Sequence, residues 1–286
     1  MSSALLEVSG LTVDYALRGA LGLRARGRVR ALEDLAFTLE HEETLALVGR
    51  SGSGKSSVAR ALLGLVRPSA GRVLYRRERG REGVDLLALP ARERRVVQRE
   101  LGIVFQDPVA SLNPRLPVGE AVAEPVRVHR RTGAREARDR AAFLFDRVGL
   151  EPGALSRFPH EFSGGQRQRI AIARALALEP RFVVLDEAVS ALDVSIRGQI
   201  LDLLLELRRE LGLAYLFITH DLALARAVAE RVLVLAGGRA VESGPVEEVL
   251  ARPRHAATRE LVGAMLSGDP RRRVLDRARD AGEPRP

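Results

Sequence analysis

Gly49-Arg50-Ser51-Gly52-Ser53-Gly54-Lys55-Ser56 fits the pattern G-x-x-x-x-G-K-[ST], and its reading decides the fold. Lys55 is the only lysine in a chain with 46 lysines and arginines. A chain that uses Arg for every other cation keeps Lys here. A compact ammonium can reach between the β- and γ-phosphates from inside a tight backbone loop, where a planar guanidinium does not fit. Upstream, Glu43-Thr44-Leu45-Ala46-Leu47-Val48 is mostly apolar, as a buried strand is. Downstream, residues 57–65 are apolar at helical spacing and are closed by Gly64 and Pro68. The order strand, glycine loop, helix directs backbone N–H groups and a helix N-terminus at phosphate oxygens, and places the Ser56 hydroxyl to ligate Mg²⁺. A merely flexible Gly/Ser turn does not require that order.

Outward from the loop, apolar runs at 5–8, 36–39, 45–48, 73–75, 101–105, 182–185, 214–218 and 232–235 read as strands. They alternate with helical patterns, which predicts a mainly parallel sheet covered on both faces. From about 107 to 178 the pattern is mostly helical, and Pro108, Pro114 and Pro117 break its start, so a helical lobe inserted into the sheet domain is expected. Residues 18–30 are basic and glycine-interrupted and read as an extended hairpin or loop. The charged, proline-flanked tail 268–286 reads as disordered.

With 286 residues and 46% hydrophobic content, the chain can bury a substantial core. No apolar run reaches the roughly 18 residues that span a bilayer. Met1-Ser2-Ser3-Ala4 lacks the basic-then-apolar build of a signal peptide, so a cytoplasmic location is expected. The absence of cysteine excludes disulfides, thiolate metal sites and cysteine nucleophiles. The net charge of +9 could serve nucleic acid, but aromatics are only 4% and the arginines are scattered. An arginine-biased composition, with no nucleic-acid partner, is the expectation.

The run Phe182-Val183-Val184-Leu185 ends in Asp186-Glu187, two acids at the carboxyl end of a strand, where open α/β sheets bind ligands. Asp186 can hold Mg²⁺ through water. Glu187 can polarise the water that attacks the γ-phosphate in line. Standing alone, the two acids would read as exposed charges at a strand end; the phosphate loop changes that reading.

Phe162-Ser163-Gly164-Gly165-Gln166-Arg167-Gln168-Arg169, followed by an apolar helical stretch and then the acidic strand, resembles the signature sequence of ABC-type ATPases. Glycine and serine suit a helix start that grips the γ-phosphate of a nucleotide held by another subunit. Other motifs of the family follow in order. Gln106 looks like the Q-loop glutamine, a Mg²⁺ and water ligand; Ser190-Ala191-Leu192-Asp193 looks like the D-loop; His220 looks like the switch histidine that contacts the γ-phosphate; Tyr15 matches the aromatic that stacks on adenine. The resemblance covers about 5–266 and implies an α/β P-loop NTPase of ABC type. Its parallel core would carry an antiparallel β subdomain and an inserted helical subdomain, in one ATPase domain spanning 1–267. It implies ATP and Mg²⁺ as ligands, with Glu187, His220 and Gln106 catalytic and Ser56, Gln106 and Asp186 at the metal. The nucleotide would lie against Tyr15, Gly49, Arg50, Ser51, Gly52, Ser53, Gly54, Lys55, Ser56 and Ser57. Ser163, Gly164, Gly165, Gln166 and Asp193 would face it from the opposing subunit.

Residues 104–115 (VFQDPVASLNPR) and 188–196 (AVSALDVSI) resemble the ATP-binding subunits of bacterial peptide and nickel importers. At 253–261 the branch's usual proline and tyrosine are replaced by Ala256 and Ala257. The resemblance implies import of di- or oligopeptides, with nickel or another metal chelate as the alternative. A different class, an ABC ATPase acting on nucleic acid or ribosomes, usually carries coiled-coil insertions, zinc cysteines or a second ATPase domain. The implied partners are a second ATPase subunit, identical or not, transmembrane permease subunits and, indirectly, a solute-binding protein, at the inner face of the membrane. Residues 107–115, with Val109 and Leu112, are expected to receive the permease.

Overall fold

The computed structural model describes residues 4–16, 27–130 and 132–266. The basic segment at 18–26 and the tail 268–286 lie outside the described residues, as do the side chains of Val109 and Ala110.

In chain order, strands β1 (Ala4–Ala16), β2 (Arg28–Glu40) and β3 (Thr44–Val48) lead to helix α1 (Lys55–Leu62). Strands β4 (Ala70–Tyr75) and β5 (Val84–Asp85), helix α2 (Ala91–Val97) and strand β6 (Leu101–Val104) follow. Helices α3 (Pro108–Ser111), α4 (Val118–Arg130), α5 (Ala134–Arg147) and α6 (Gly164–Ala175) form a helical lobe. The chain then alternates β7 (Phe182–Asp186), α7 (Val194–Leu211), β8 (Ala214–Thr219), α8 (Leu222–Val228) and β9 (Arg231–Ala236). It closes with β10 (Arg239–Pro245), α9 (Val246–Ala251) and α10 (Ala256–Leu266).

Two sheets result. One is antiparallel, in the order β2-β1-β4-β5; the other runs β10-β9-β3-β8-β7-β6, parallel except for the edge strand β10. The fold is α/β with an antiparallel subdomain and a helical lobe. The eight apolar runs all became strands, but β1 and β2 are longer than their runs, 13 residues each, because polar residues alternate outward along their ends. Strand β5 and strand β10 have no apolar run of their own; β10 is mostly exposed and is held by its ladder to β9.

Alternation along the parallel strands divides the core. Val183 and Leu185 of β7 face a cluster shared with the helical lobe, including Phe145, Ile170 and Phe217. Phe182 and Val184 face the antiparallel sheet, with Leu45, Leu47 and Ile218. The helical lobe is therefore built onto one face of the sheet. Truncating the fully buried Phe145 to Ala should cost about 3–5 kcal/mol. Leu112, expected as a contact for a partner, is only 2% exposed and belongs to this core instead.

The strand order has a direct consequence for function. Neighbouring strands β3, β8, β7 and β6 end side by side, so their carboxyl ends present the phosphate loop, His220, Asp186 with Glu187, and Gln106 in one row.

Candidate functional site

The phosphate loop links Val48 to α1, with Gly54 as the residue before the helix at φ 108°. A side chain is impossible at Gly54 without strain, because a Cβ would lie 2.6 Å from the Ala31 carbonyl oxygen in a left-handed backbone. At Gly49 a Cβ would lie 2.3 Å from the Leu235 oxygen. The loop is thus pressed against β9 and β2. Ser53 is buried, its backbone oxygen accepts from Gly238 N–H at 3.0 Å, and its Oγ has no partner among the described residues.

Lys55 is 6% exposed and turns back into the loop, donating from Nζ to the carbonyl oxygens of Gly49 at 2.8 Å and Arg50 at 3.0 Å. Burial pushes its pKa down, and the nearby Glu187 and Asp186 carboxylates oppose that shift. Ser56 Oγ donates to Asp186 Oδ1 at 3.5 Å. Burial raises the Asp186 pKa and the bond from Ser56 opposes it.

Glu187 is the meeting point of the site. Its Oε2 accepts from Gln106 Nε2 at 3.1 Å and lies 3.4 Å from His220 Nδ1. The residue holds φ at +48°, a left-handed conformation uncommon for a non-glycine. That backbone is fixed from both sides: Glu187 N–H donates to the Ile218 oxygen at 3.0 Å, and Ser190 Oγ donates to the Glu187 oxygen at 2.8 Å. The neighbours thus hold the Glu187 backbone in a conformation it would not adopt unaided. The backbone beside His220 is ordered too, since Asp221 N–H donates to Thr219 Oγ1 at 3.0 Å and the Asp221 carboxylate caps α8.

The remaining expected residues divide into two groups. Tyr15, on β1, donates its hydroxyl to Ser57 Oγ at 3.3 Å, so it stands beside the first turn of α1. Ser163 caps α6: its Oγ accepts from Gln166 N–H at 3.3 Å, and the Gln166 side chain accepts from Ser163 N–H at 2.9 Å. Gly165 is backed by Ile196, whose Cγ2 would lie 2.6 Å from an added Cβ, and Asp193 stands exposed before α7. Among the described residues, the hydrogen bonds of Ser163, Gly164, Gly165, Gln166 and Asp193 stay within their own turns and helices and do not reach the phosphate loop. Arg50 makes a contact to which no motif pointed, an ion pair of its Nη2 with Glu260 Oε2 at 3.0 Å.

The donor set fits a nucleotide triphosphate with its magnesium. Among the described residues, the buried ammonium is bound only to loop carbonyls and the Ser53 hydroxyl in the loop has no partner, while Ser56 and Asp186 offer two hard oxygen ligands. Mg²⁺ typically takes one or two protein oxygens and completes its shell with phosphates and water.

The family model described as ABC transporter matches residues 32–190. The chain is 48% identical over 268 residues to the glutathione import ATP-binding protein of Salmonella typhimurium (strain LT2), covering 94% of this chain. It is 48% identical over 267 residues to the protein of that name from Escherichia coli (strain K12). The chain spans 42% of the length of these relatives. Among solved structures, the ATP-binding cassette MJ0796 bound to ADP and Pi superposes with a TM-score of 0.71 at 29% identity, covering 84% of this chain and 98% of that one. The cbiO1 protein of Clostridium perfringens, part of the transporter complex cbiONQ, superposes with a TM-score of 0.74 at 27% identity, covering 96% and 100%.

Proposed function

The chain belongs to the ABC transporter family, and from that premise we propose that it is the ATP-hydrolysing subunit of a bacterial importer whose cargo is a short peptide. The observation that carries the reading is the convergence of Gln106 and His220 on one oxygen of Glu187, next to Asp186 and Ser56. In this role Glu187 accepts the proton of the attacking water while Gln106 and His220 orient it toward the γ-phosphate. Lys55 exchanges the loop carbonyls for phosphate oxygens, and the N–H groups of 49–57 surround them. Ser56, Asp186 and Gln106 would hold Mg²⁺, which would supply charge neutralisation for the triphosphate. Tyr15 meets the adenine.

Ser163, Gly164, Gly165, Gln166 and Asp193 serve the nucleotide of a second ATPase subunit, since among the described residues no hydrogen bond turns them to the chain's own loop. ATP then closes the pair and hydrolysis reopens it, and the movement passes through Gln106 and the helical lobe to permease subunits at the cytoplasmic face of the membrane. Among the described residues no helix is long and apolar enough to cross a membrane. A solute-binding protein would deliver the cargo. Relatives named for glutathione, itself a tripeptide, favour a peptide over nickel.

The test is reconstitution with the co-encoded permease in vesicles, measuring ATP turnover with and without glutathione and other short peptides. Stimulation by a peptide is the expected result. Stimulation by DNA or RNA, and by no co-encoded membrane protein, would sink the reading.

A further inference from the structure

Helix α10 lies beyond the stretch matched by the family model, yet it rests on the nucleotide site. Its Leu261, Val262 and Met265 pack into a cluster with Ala46 and Val48 of β3 and with Leu222 and Ala225 of α8. Strand β3 carries the phosphate loop, and α8 follows His220. The start of α10 is anchored by Glu242, whose carboxylate accepts N–H of Arg254 and of His255, both at 2.9 Å. Ala257 N–H then donates to His255 Nδ1 at 3.2 Å, and Arg259 Nη1 donates to the Arg254 oxygen at 2.6 Å. One turn later the helix brings Glu260 to the Arg50 guanidinium at 3.0 Å.

Among the described residues, Arg50 is therefore held from two sides. From outside, its side chain pairs with Glu260; from inside, its carbonyl accepts from the Lys55 ammonium. A loop with glycine at 49, 52 and 54 loses much conformational freedom when it closes on a ligand, and a contact that orders it beforehand lowers that cost.

We propose that Glu260 is a positioning residue of the phosphate loop: acting through Arg50, it holds the first turn of the loop ready for phosphate, so that α10 sets nucleotide affinity. The proposal rests on the reading of residues 49–56 as the ATP-binding loop. A purely electrostatic role gives the opposite sign, because a carboxylate near the site repels ATP and its removal would tighten binding.

The experiment is equilibrium titration of the full chain with ATP, together with steady-state turnover and thermal unfolding, for Glu260→Ala, Arg50→Ala and the double variant. Glu260→Ala should weaken ATP binding by about 2- to 5-fold, the range expected of an exposed ion pair, with kcat at saturating ATP and the thermal midpoint unchanged. Arg50→Ala should weaken binding as well, and adding Glu260→Ala to it should change nothing further. Tighter or unaltered binding by Glu260→Ala, effects that multiply in the double variant, or a parallel loss of kcat and thermal stability would each overturn the proposal. A wild-type chain that binds no ATP, or a Lys55→Ala variant that binds as well as wild type, would instead remove the reading of the loop on which it rests.

Discussion

Gln106 and Glu187 stand 81 residues apart and meet in a hydrogen bond of 3.1 Å from Nε2 to Oε2. Gln106 follows β6 and precedes α3, the first helix of the lobe, whereas Glu187 follows β7. The bond ties the helical lobe to the carboxylate that the proposed chemistry depends on. A shift of the lobe by more than a few tenths of an ångström would stretch or break it, since hydrogen bonds weaken steeply beyond their normal range.

Glu187→Gln keeps the shape and can still pair with its neighbours, but an amide does not take a proton from water. ATP binding should persist while turnover falls by at least about 100-fold, the usual contribution of a general base. Size exclusion with ATP should show a stable dimer. Turnover within a few-fold of wild type would remove Glu187 from this role.

Lys55→Arg tests the steric argument. The ammonium is buried between two carbonyl oxygens of its own loop at 2.8 and 3.0 Å, and a guanidinium fork does not fit that space. Arginine should therefore weaken ATP binding by at least about tenfold, roughly 1.4 kcal/mol, and nearly as much as alanine does. Calorimetric titration decides, and an arginine variant with normal affinity would refute it.

Asp186 gives a pH dependence with a definite sign. Its folded pKa is raised above 3.8, chiefly by burial. A raised carboxyl contributes stability when protonated, fully below its unfolded pKa, and loses that contribution as the pH rises through the folded value. At neutral pH the buried charge is thus a cost in the nucleotide-free chain. Asp186→Asn, which can still accept from Ser56, should raise the thermal midpoint by a few degrees at pH 7 to 8, and the gain should vanish toward pH 4. Unfolding curves of both chains across that range, without nucleotide or magnesium, check it. A variant less stable than wild type at pH 7 would contradict the sign.

Much of this site was legible in the sequence because buried parallel strands are continuous apolar runs, and functional residues sit at their ends. The runs in β3, β7 and β8 placed the loop, Glu187 and His220 directly. What could not be read is of two kinds. Strand β10, with the sequence RAVESGP, has no apolar pattern, since an exposed edge is specified by its neighbour's hydrogen bonds rather than by its own burial. The left-handed backbone of Glu187 and the pairing of Arg50 with Glu260 depend on how distant elements dock, and no local spacing encodes them.

The membrane partner proposed for this chain would engage it beside α3. Leu112 is in the core and is unavailable to a partner, but Phe105 and Leu116, on either side of α3, are 42% and 38% exposed. Leu116 lies in a turn fixed by its own N–H to the Asn113 oxygen at 3.2 Å and by Arg115 N–H to Asn113 Oδ1 at 3.0 Å, between Pro114 and Pro117. Such a rigid apolar projection suits the groove-and-helix contacts that transmit motion between subunits. A charge placed there, Leu116→Glu, meets solvent in the isolated chain and should leave its ATP turnover within about twofold and its unfolding nearly unchanged, as exposed substitutions usually do. Buried against the permease, the same charge has no partner and should block assembly. Co-purification with the permease and peptide uptake in reconstituted vesicles measure the effect. Normal uptake by Leu116→Glu would move the docking surface away from this turn, and would take with it the route by which Gln106 is proposed to report on the partner.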